Sequence, residues 1–150
     1  MAQIHYLTGD IFQTGDDAIV NPVNCVGVMG KGLALQFKQR YPDNFTMYEE
    51  ACKQNQVHLG KLCVQHRETA PFYIVNFPTK LHWKDDSRVE DVECGLIALK
   101  YWIGDKKIKS ISIPPLGCGL GGLKREQVYP LITQHLKDIP HLVVHVVSID

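Results

Sequence analysis

Two glycine loops and one lysine are the residues here whose types and spacing could do chemistry. Ser110 to Leu123 reads SISIPPLGCGLGGL, a short β-branched run feeding a loop with Gly117, Gly119, Gly121 and Gly122. Glycine takes positive φ without a Cβ penalty, so such a loop can turn successive backbone N–H groups toward one anion. A helix is expected from about Lys124, and its N-terminal partial positive charge adds to the same site. A second loop, Gly27-Val-Met-Gly30-Lys-Gly32, also lies between an expected strand and helix. Two such loops suggest a ligand with two phosphates, or a phosphate and a sugar.

Lys80 ends the strand-like run FYIVNFPTK and projects where the loops converge. An amine that attacks carbon must be neutral, which desolvation or neighbouring cations bring about, and His82, Lys84 and Arg88 are near in sequence. The alternative is a solvated lysine on a loop. Asn21 and Asn24, in Asn21-Pro-Val-Asn24, offer amides that both donate and accept, as vicinal ribose hydroxyls require. An Asx-type turn is the other reading. Asp10, after the first strand, could accept from an exocyclic adenine amine or could simply cap a turn. The segment from Lys80 to Arg88 interleaves His82 and Trp83 with Lys84 and Arg88, a mixture that stacks bases and holds phosphates. It also contains two acids, so a solvated loop leading into the next helix is the competing reading. Cys118 has no histidine placed near it by sequence and reads as a small apolar wall residue.

The elements that must position these residues are legible from periodicity. Ile4–Leu7 and Ala18–Asn21 read as strands, with a turn around residues 14–17. Leu33 to Tyr41 carries apolar residues at helical spacing until Pro42, and a second helix is expected with Asp43 as its N-cap and Phe45, Tyr48, Ala51 and Cys52 on one face. Strands follow at Lys61–Gln65 and Phe72–Phe77, then a helix from about Arg88 to Trp102 with Val89, Val92, Leu96 and Leu99 inward. Helix Arg125–Leu136 and strand Leu142–Ile149 complete the pattern. Alternating strands and helices with apolar central strands predict a three-layer α/β/α sandwich with a mixed, centrally parallel sheet. In such sheets ligands sit beyond the carboxyl ends of the strands, where Asn21–Asn24, Asn76–Lys80 and Pro114–Gly122 all fall.

Composition narrows the class. At 150 residues one core and one domain over residues 1–150 are expected. With 16 basic and 16 acidic residues the net charge is zero, so a charged partner must be met by a local patch. Cys25, Cys52, Cys63, Cys94 and Cys118 show no C-x-x-C spacing and their number is odd, which reads as a reduced, cytoplasmic protein without a structural zinc site. Neither an export signal nor a membrane span is visible. The histidines at 5, 58, 66, 135, 141 and 145 read as ordinary surface or core residues. Gly117-x-Gly119-x-x-Gly122 matches a dinucleotide fingerprint, but that motif belongs in the first βα turn of its domain, and here it lies near the chain's end. Lys31 is followed by Gly32 rather than Ser or Thr, so the other glycine loop is no Walker A motif.

Taken together, GDI at residues 9–11, NPVNCVGVMGKGLALQFK at 21–38, NFPTK at 76–80 and PPLGCGLGGL at 114–123 resemble a macrodomain over essentially the whole chain. The version resembled most is the antitoxin macrodomain of the DarT/DarG toxin–antitoxin pair, related to the eukaryotic terminal ADP-ribose glycohydrolases. The resemblance implies ADP-ribose as ligand. Asp10 and Ile11 would hold the adenine, Asn21, Asn24 and the backbone of Gly30, Lys31, Gly32 and Leu33 would surround the distal ribose, and Met29 would also bind the ADP-ribose. Thr79 and the segment Leu116, Gly117, Cys118, Gly119, Leu120, Gly121, Gly122 and Leu123 would complete the cradle, with residues 117–122 at the pyrophosphate. Lys80 becomes the expected catalytic residue, with His82, Trp83, Lys84 and Arg88 expected to contact DNA. The implied reaction is removal of ADP-ribose from thymidine bases of single-stranded DNA, with no cofactor or metal, and with the ADP-ribosyltransferase toxin as partner. A non-catalytic ADP-ribose reader and a hydrolase of ADP-ribosylated protein are the alternatives. One departure matters: the eukaryotic relatives carry an aspartate in the second glycine loop, whereas this chain has Gly121-Gly122, so the role of Lys80 as nucleophile, acid or electrostatic stabiliser stays open. The two glycines are expected to leave room for a bulky nucleotide.

Overall fold

In the computed structural model, which describes residues 1–149, six strands form one sheet in the order β1-β6-β5-β2-β4-β3. The strands are β1 (Gln3–Thr8), β2 (Ala18–Val23), β3 (Cys63–His66), β4 (Tyr73–Pro78), β5 (Ser110–Ile113) and β6 (Val143–Ser148). Four helices, α1 (Gly32–Arg40), α2 (Pro42–Lys53), α3 (Val89–Lys106) and α4 (Arg125–Leu136), cover its two faces, and a short 3-10 turn follows β1 at Ile11–Gln13. All neighbouring strands are parallel except β3, which runs antiparallel to β4 at one edge. The expected mixed, centrally parallel sandwich is therefore the one observed.

Side-chain alternation along the strands builds two cores. Val20, Val75, Phe77, Ile111, Ile113, Val144 and Val146 point to the face covered by Val92, Leu96 and Leu99 of α3 and Val128 and Ile132 of α4. Ile19, Ile74 and Val147 point to the other face, against Phe37 of α1 and Tyr48 of α2. The α3 layer lies so close that a Cβ on Gly95 would overlap the Phe77 ring, which explains a glycine in the middle of a long helix. A polar cluster ties the turn before β2 to the sheet: Ser112 Oγ donates to Asp16 Oδ2 at 2.5 Å, and His145 Nδ1 lies 2.7 Å from the same oxygen. His145, read from sequence as ordinary, thus helps anchor a buried carboxylate.

Several boundaries differ from the sequence expectation for physical reasons. Asp43 is not the N-cap of α2. Pro42 opens the helix, where its missing N–H and fixed φ cost nothing, so the cap position falls on Tyr41 without a side-chain bond. Asp43 lies inside the first turn, with its Oδ1 accepting from Asn44 N at 2.9 Å and 3.3 Å from Arg67 Nη1. Helix α3 runs past Trp102 to Lys106, because Ile103 continues the buried stripe of Val92, Leu96 and Leu99, and Lys107 then ends it in the left-handed region at φ 54°. Strand β4 reaches Pro78, one residue beyond the expected end, and β6 stops at Ser148. Among the described residues no helix is long and apolar enough to cross a membrane. What this architecture supplies is a rim: the carboxyl ends of β1, β2, β4, β5 and β6 all open on one side of the sheet.

Candidate active site at the carboxyl rim

Lys80 is fixed by the way β2 and β4 extend past the regular sheet. Thr79 N donates to Val23 O at 2.8 Å and Cys25 N donates to Leu81 O at 2.9 Å, so the backbone on both sides of Lys80 is zipped to the end of β2. Thr79 is buried, with its hydroxyl 3.4 Å from Val23 O, and Lys80 itself is half-buried. Its Nζ donates to Trp83 O at 3.1 Å, across a turn of its own loop.

The two expected amides turn inward. Asn24 is spent on its own loop: Nδ2 donates to Val28 O at 2.8 Å, while Oδ1 accepts from Val26 N at 3.1 Å and Val28 N at 3.4 Å. Tyr48 OH lies 2.7 Å from both Asn24 O and Asn24 Oδ1. Burial pushes the Tyr48 hydroxyl well above the usual phenol range, so it remains a donor to this turn. Asn21 is wholly buried, and its Nδ2 donates to Asn76 Oδ1 at 3.0 Å. Asn44 of α2 reaches the same oxygen at 3.1 Å and accepts from Asn76 Nδ2 at 2.9 Å. This places three asparagines beneath the rim as one hydrogen-bonded group, with Asn21 Oδ1 buried and unpaired. Asn44 and Asn76 escaped the sequence reading of candidate ribose amides. The available signal was a lone amide in the otherwise apolar strand YIVNFP.

Beyond Asn24 the chain passes over buried Met29 and exposed Gly30 and Lys31 into α1, whose N-cap Lys31 is extended and makes no side-chain cap bond. The first N–H groups of that helix, at Gly32 and Leu33, are therefore left for another acceptor, the arrangement that favours anions. Asp10 caps the 3-10 turn with Oδ1 accepting from Phe12 N at 2.9 Å, and Ile11 beside it is buried. The cap reading of Asp10 is thus realised, with its second carboxylate oxygen free of that bond.

The second glycine loop is closed by Leu123 N donating to Gly117 O at 2.9 Å and by Gly122 N donating to Gly119 O at 3.2 Å. Gly117 and Gly122 have φ of 74° and 82°, conformations that other residues adopt only with strain. Leu116 is buried below, and burial pushes the Cys118 thiol up, in keeping with a wall residue. Leu120 is 64% exposed and its Cδ1 would meet a Cβ on Gly32 at 3.5 Å, so the two glycine loops touch across the site. The expected space at Gly121 is not there. A Cβ on Gly121 would overlap Ser87 Oγ and stand 2.6 Å from Gly117 O, because buried Ser87 fills that position and its N–H donates to Gly121 O at 2.8 Å.

The same 80–88 loop carries the expected DNA-contacting residues. The His82 and Trp83 rings are 5.2 Å apart, Lys84 Nζ lies 5.1 Å from the Trp83 ring centre, and Trp83 is 47% exposed. Lys84 N donates to His82 Nδ1 at 3.1 Å, and Asp85 Oδ2 accepts from His82 N at 3.0 Å, so the loop holds its own shape. Arg88 Nε is 3.5 Å from Glu90 Oε2 in an exposed pair. Among the described residues no group of His, Cys, Asp and Glu has the arrangement of a metal site.

Comparison with known proteins gives this rim a family. The family model described as "Macro domain" matches residues 20–132. A DNA ADP-ribosyl glycohydrolase of Mycobacterium tuberculosis is 46% identical over 139 residues, covering 91% of this chain and 40% of its own length. A DNA ADP-ribosyl transferase–DNA ADP-ribosyl glycohydrolase fusion protein of Thermosipho africanus is 35% identical over 145 residues, covering 85% of this chain and 37% of its own. The chain thus spans about 40% of the length of the curated relatives it matches. Among solved structures, the macrodomain of Thermus aquaticus DarG superposes with a TM-score of 0.95 at 42% identity, covering 99% of each chain. Thermosipho africanus DarTG in complex with ADP-ribose gives 0.87 at 35% identity, covering 93% of this chain and 40% of that one. A match of this extent, running through both glycine loops and the Lys80 segment, puts the chain in the macrodomain family, among the DarG macrodomains.

Proposed function

We propose that this chain binds ADP-ribose along the rim and hydrolyses the bond joining it to thymidine bases of single-stranded DNA, with Lys80 as catalytic residue. One observation carries the reading: Lys80 is clamped on both sides, by Thr79 N to Val23 O and by Cys25 N to Leu81 O, at the rim where both glycine loops open. A loop that merely bound ADP-ribose would need the cradle but no positioned amine. The adenine lies near Asp10 and Ile11, the diphosphate against the backbone of 117–122 and the N-terminus of α1, and the distal ribose toward Lys80. There the ammonium donates a proton to the departing base nitrogen, or stabilises charge developing on it, a contribution typically of about 100-fold or more. The exposed Trp83 ring, with His82 and Lys84 beside it, offers a stacking platform for the base or its neighbour, where stacking is worth about 1–3 kcal/mol per base. The relatives' description as DNA ADP-ribosyl glycohydrolases and the ADP-ribose-bound DarTG structure support the ligand and substrate. The fusion of such a glycohydrolase to a DNA ADP-ribosyl transferase supports an antitoxin role opposing that transferase.

The test is release of ADP-ribose from a thymidine-modified single-stranded oligonucleotide by the parent and by Lys80→Ala, with free ADP-ribose affinity measured for both. Release by the parent, a loss of at least about 100-fold in the variant and similar affinities are expected. Binding without release by either protein would make the chain a reader, and release only from ADP-ribosylated protein would move the substrate.

A further inference from the structure

The amino ends of the strands, opposite the rim, close around a second pocket. Phe72 N and Tyr73 N both donate to Asp17 O, at 2.8 and 3.2 Å, and Asp17 N donates to Ser110 Oγ at 2.9 Å, so the starts of β2, β4 and β5 are tied together there. The cavity is about 310 Å³, and its walls include Asp17, His66, Phe72, Tyr73, Lys106 and Lys107. Pockets for small organic molecules run from about 300 Å³ upward, so one nucleotide fits. The His66 and Tyr73 rings stack at 4.9 Å with 15° between their planes, Trp102 braces Tyr73 edge-on at 5.2 Å, and Phe72 beside them is 40% exposed. Lys106 and Lys107 are exposed at the end of α3, and their charge offsets the helix dipole there. That explains two lysines but not an open aromatic wall. Among the described residues neither ammonium forms an ion pair, although Asp17 lines the same cavity, and the Asp17 carboxylate makes no hydrogen bond.

We propose that this pocket is a second nucleotide site, which holds one nucleotide of single-stranded DNA away from the rim and which takes the DNA reading of the rim as its premise. Single strands are held by aromatic rings on which bases stack and by cations that meet the phosphates, and this pocket combines the two. The base lies against the Phe72 ring and the His66–Tyr73 stack, while Lys106 and Lys107 meet the phosphates. Asp17 accepts from an N–H on the base edge, as carboxylates do from cytosine N4. That acid separates the pocket from a plain anion patch, because phosphate alone gains nothing from a carboxylate beside it. Helix α3 sets the spacing between the two sites: it starts just after the loop that carries Trp83 and ends at Lys106. Its 18 residues span about 27 Å, the length of about eight stacked nucleotides. A flank of that length on the modified strand reaches from the rim to the pocket.

Fluorescence anisotropy with a labelled, unmodified oligothymidine of about 20 nucleotides, more than twice the α3 span, tests the pocket without any turnover. Phe72→Ala is expected to weaken binding at least about fivefold, the lower end of the contribution of one stacked base. Lys106→Ala combined with Lys107→Ala should flatten the slope of log affinity against log salt by about 1.4, the share of two phosphate contacts on a single strand. Lys53→Glu, at the exposed end of α2, should bind DNA like the parent, and every variant should keep the parent's affinity for ADP-ribose. Inorganic polyphosphate should bind more weakly than the oligonucleotide and be indifferent to Phe72→Ala. A parent that does not bind the oligonucleotide, parent-like binding and salt slope in the pocket variants, or an equal loss in Lys53→Glu overturns the assignment. So does a loss that tracks weaker ADP-ribose binding, or polyphosphate that competes as well as DNA. On modified substrate the pocket variants should raise KM for the long strand and leave it unchanged for one too short to leave the rim, and an equal rise on both also overturns the pocket. Release of ADP-ribose with no effect of the pocket variants defeats the pocket alone. Pocket-dependent DNA binding by a parent that releases nothing defeats the hydrolase reading alone.

Discussion

At the level of single residues, the contact between Ser87 and Gly121 shows how a glycine can be required by its neighbour rather than by its ligand. A methyl group on Gly121 would overlap Ser87 Oγ and press on Gly117 O, and the backbone oxygen cannot swing away as a side chain could. Gly121→Ala is therefore expected to cost about 1–3 kcal/mol of stability, as overpacking does. It should also weaken ADP-ribose, since Gly117 and the 86–87 segment move together. Thermal unfolding with and without ADP-ribose checks this. A variant with the parent's midpoint and the parent's ligand-induced shift would mean that Ser87 yields freely. None of this was legible from the chain. Lys80 could be singled out because it ends an apolar strand within a specific motif, and the glycines because their density is unusual. That Ser87 and Asp86 face Gly121 and Gly122 is a tertiary fact between segments more than 30 residues apart, and no local pattern encodes it.

At the level of elements, the asparagine group joins α2 to the two strands that carry Asn24 and Lys80 to the rim. Asn21 of β2 and Asn76 of β4 are register partners, and Asn44 of α2 completes the group from above. Asn76 is the hub, its Oδ1 accepting from two amides and its Nδ2 donating to Asn44. Asn76→Ala takes their shared partner from two buried amides, and buried polar groups left unpaired cost about 1–3 kcal/mol each. A loss of about 2–4 kcal/mol in urea unfolding is expected. Adding Asn44→Ala should cost less than its effect in the parent, because the pair acts as a unit. Strict additivity in that double-mutant cycle would dissolve the group into independent contacts. The strands and helices themselves were readable, because apolar spacing of two or near 3.6 decides which face is buried. What misled was punctuation: Pro42 took the start of α2 that Asp43 had seemed to cap, and Ile103 carried α3 a turn further than expected.

At the level of the whole molecule, three half-buried thiols couple stability to alkaline pH. Burial, with a smaller contribution from Cys52, lifts the Cys25 thiol from its ordinary 9.0 to about 11, and burial likewise raises Cys52 and Cys63. For these acids the folded state holds its proton to higher pH than the unfolded chain, so between the two values the unfolded state has released more protons. Stability is then fully present below about 9 and falls as pH rises through the folded value near 11. Denaturant unfolding of the parent should thus give constant stability from pH 7 to about 9 and a decline toward 11. Cys25→Ala removes one of the titrating groups, and the decline should become shallower in it. Superimposable pH profiles for the two proteins would mean that Cys25 holds the same proton folded and unfolded, and that the alkaline limit of this fold is set elsewhere.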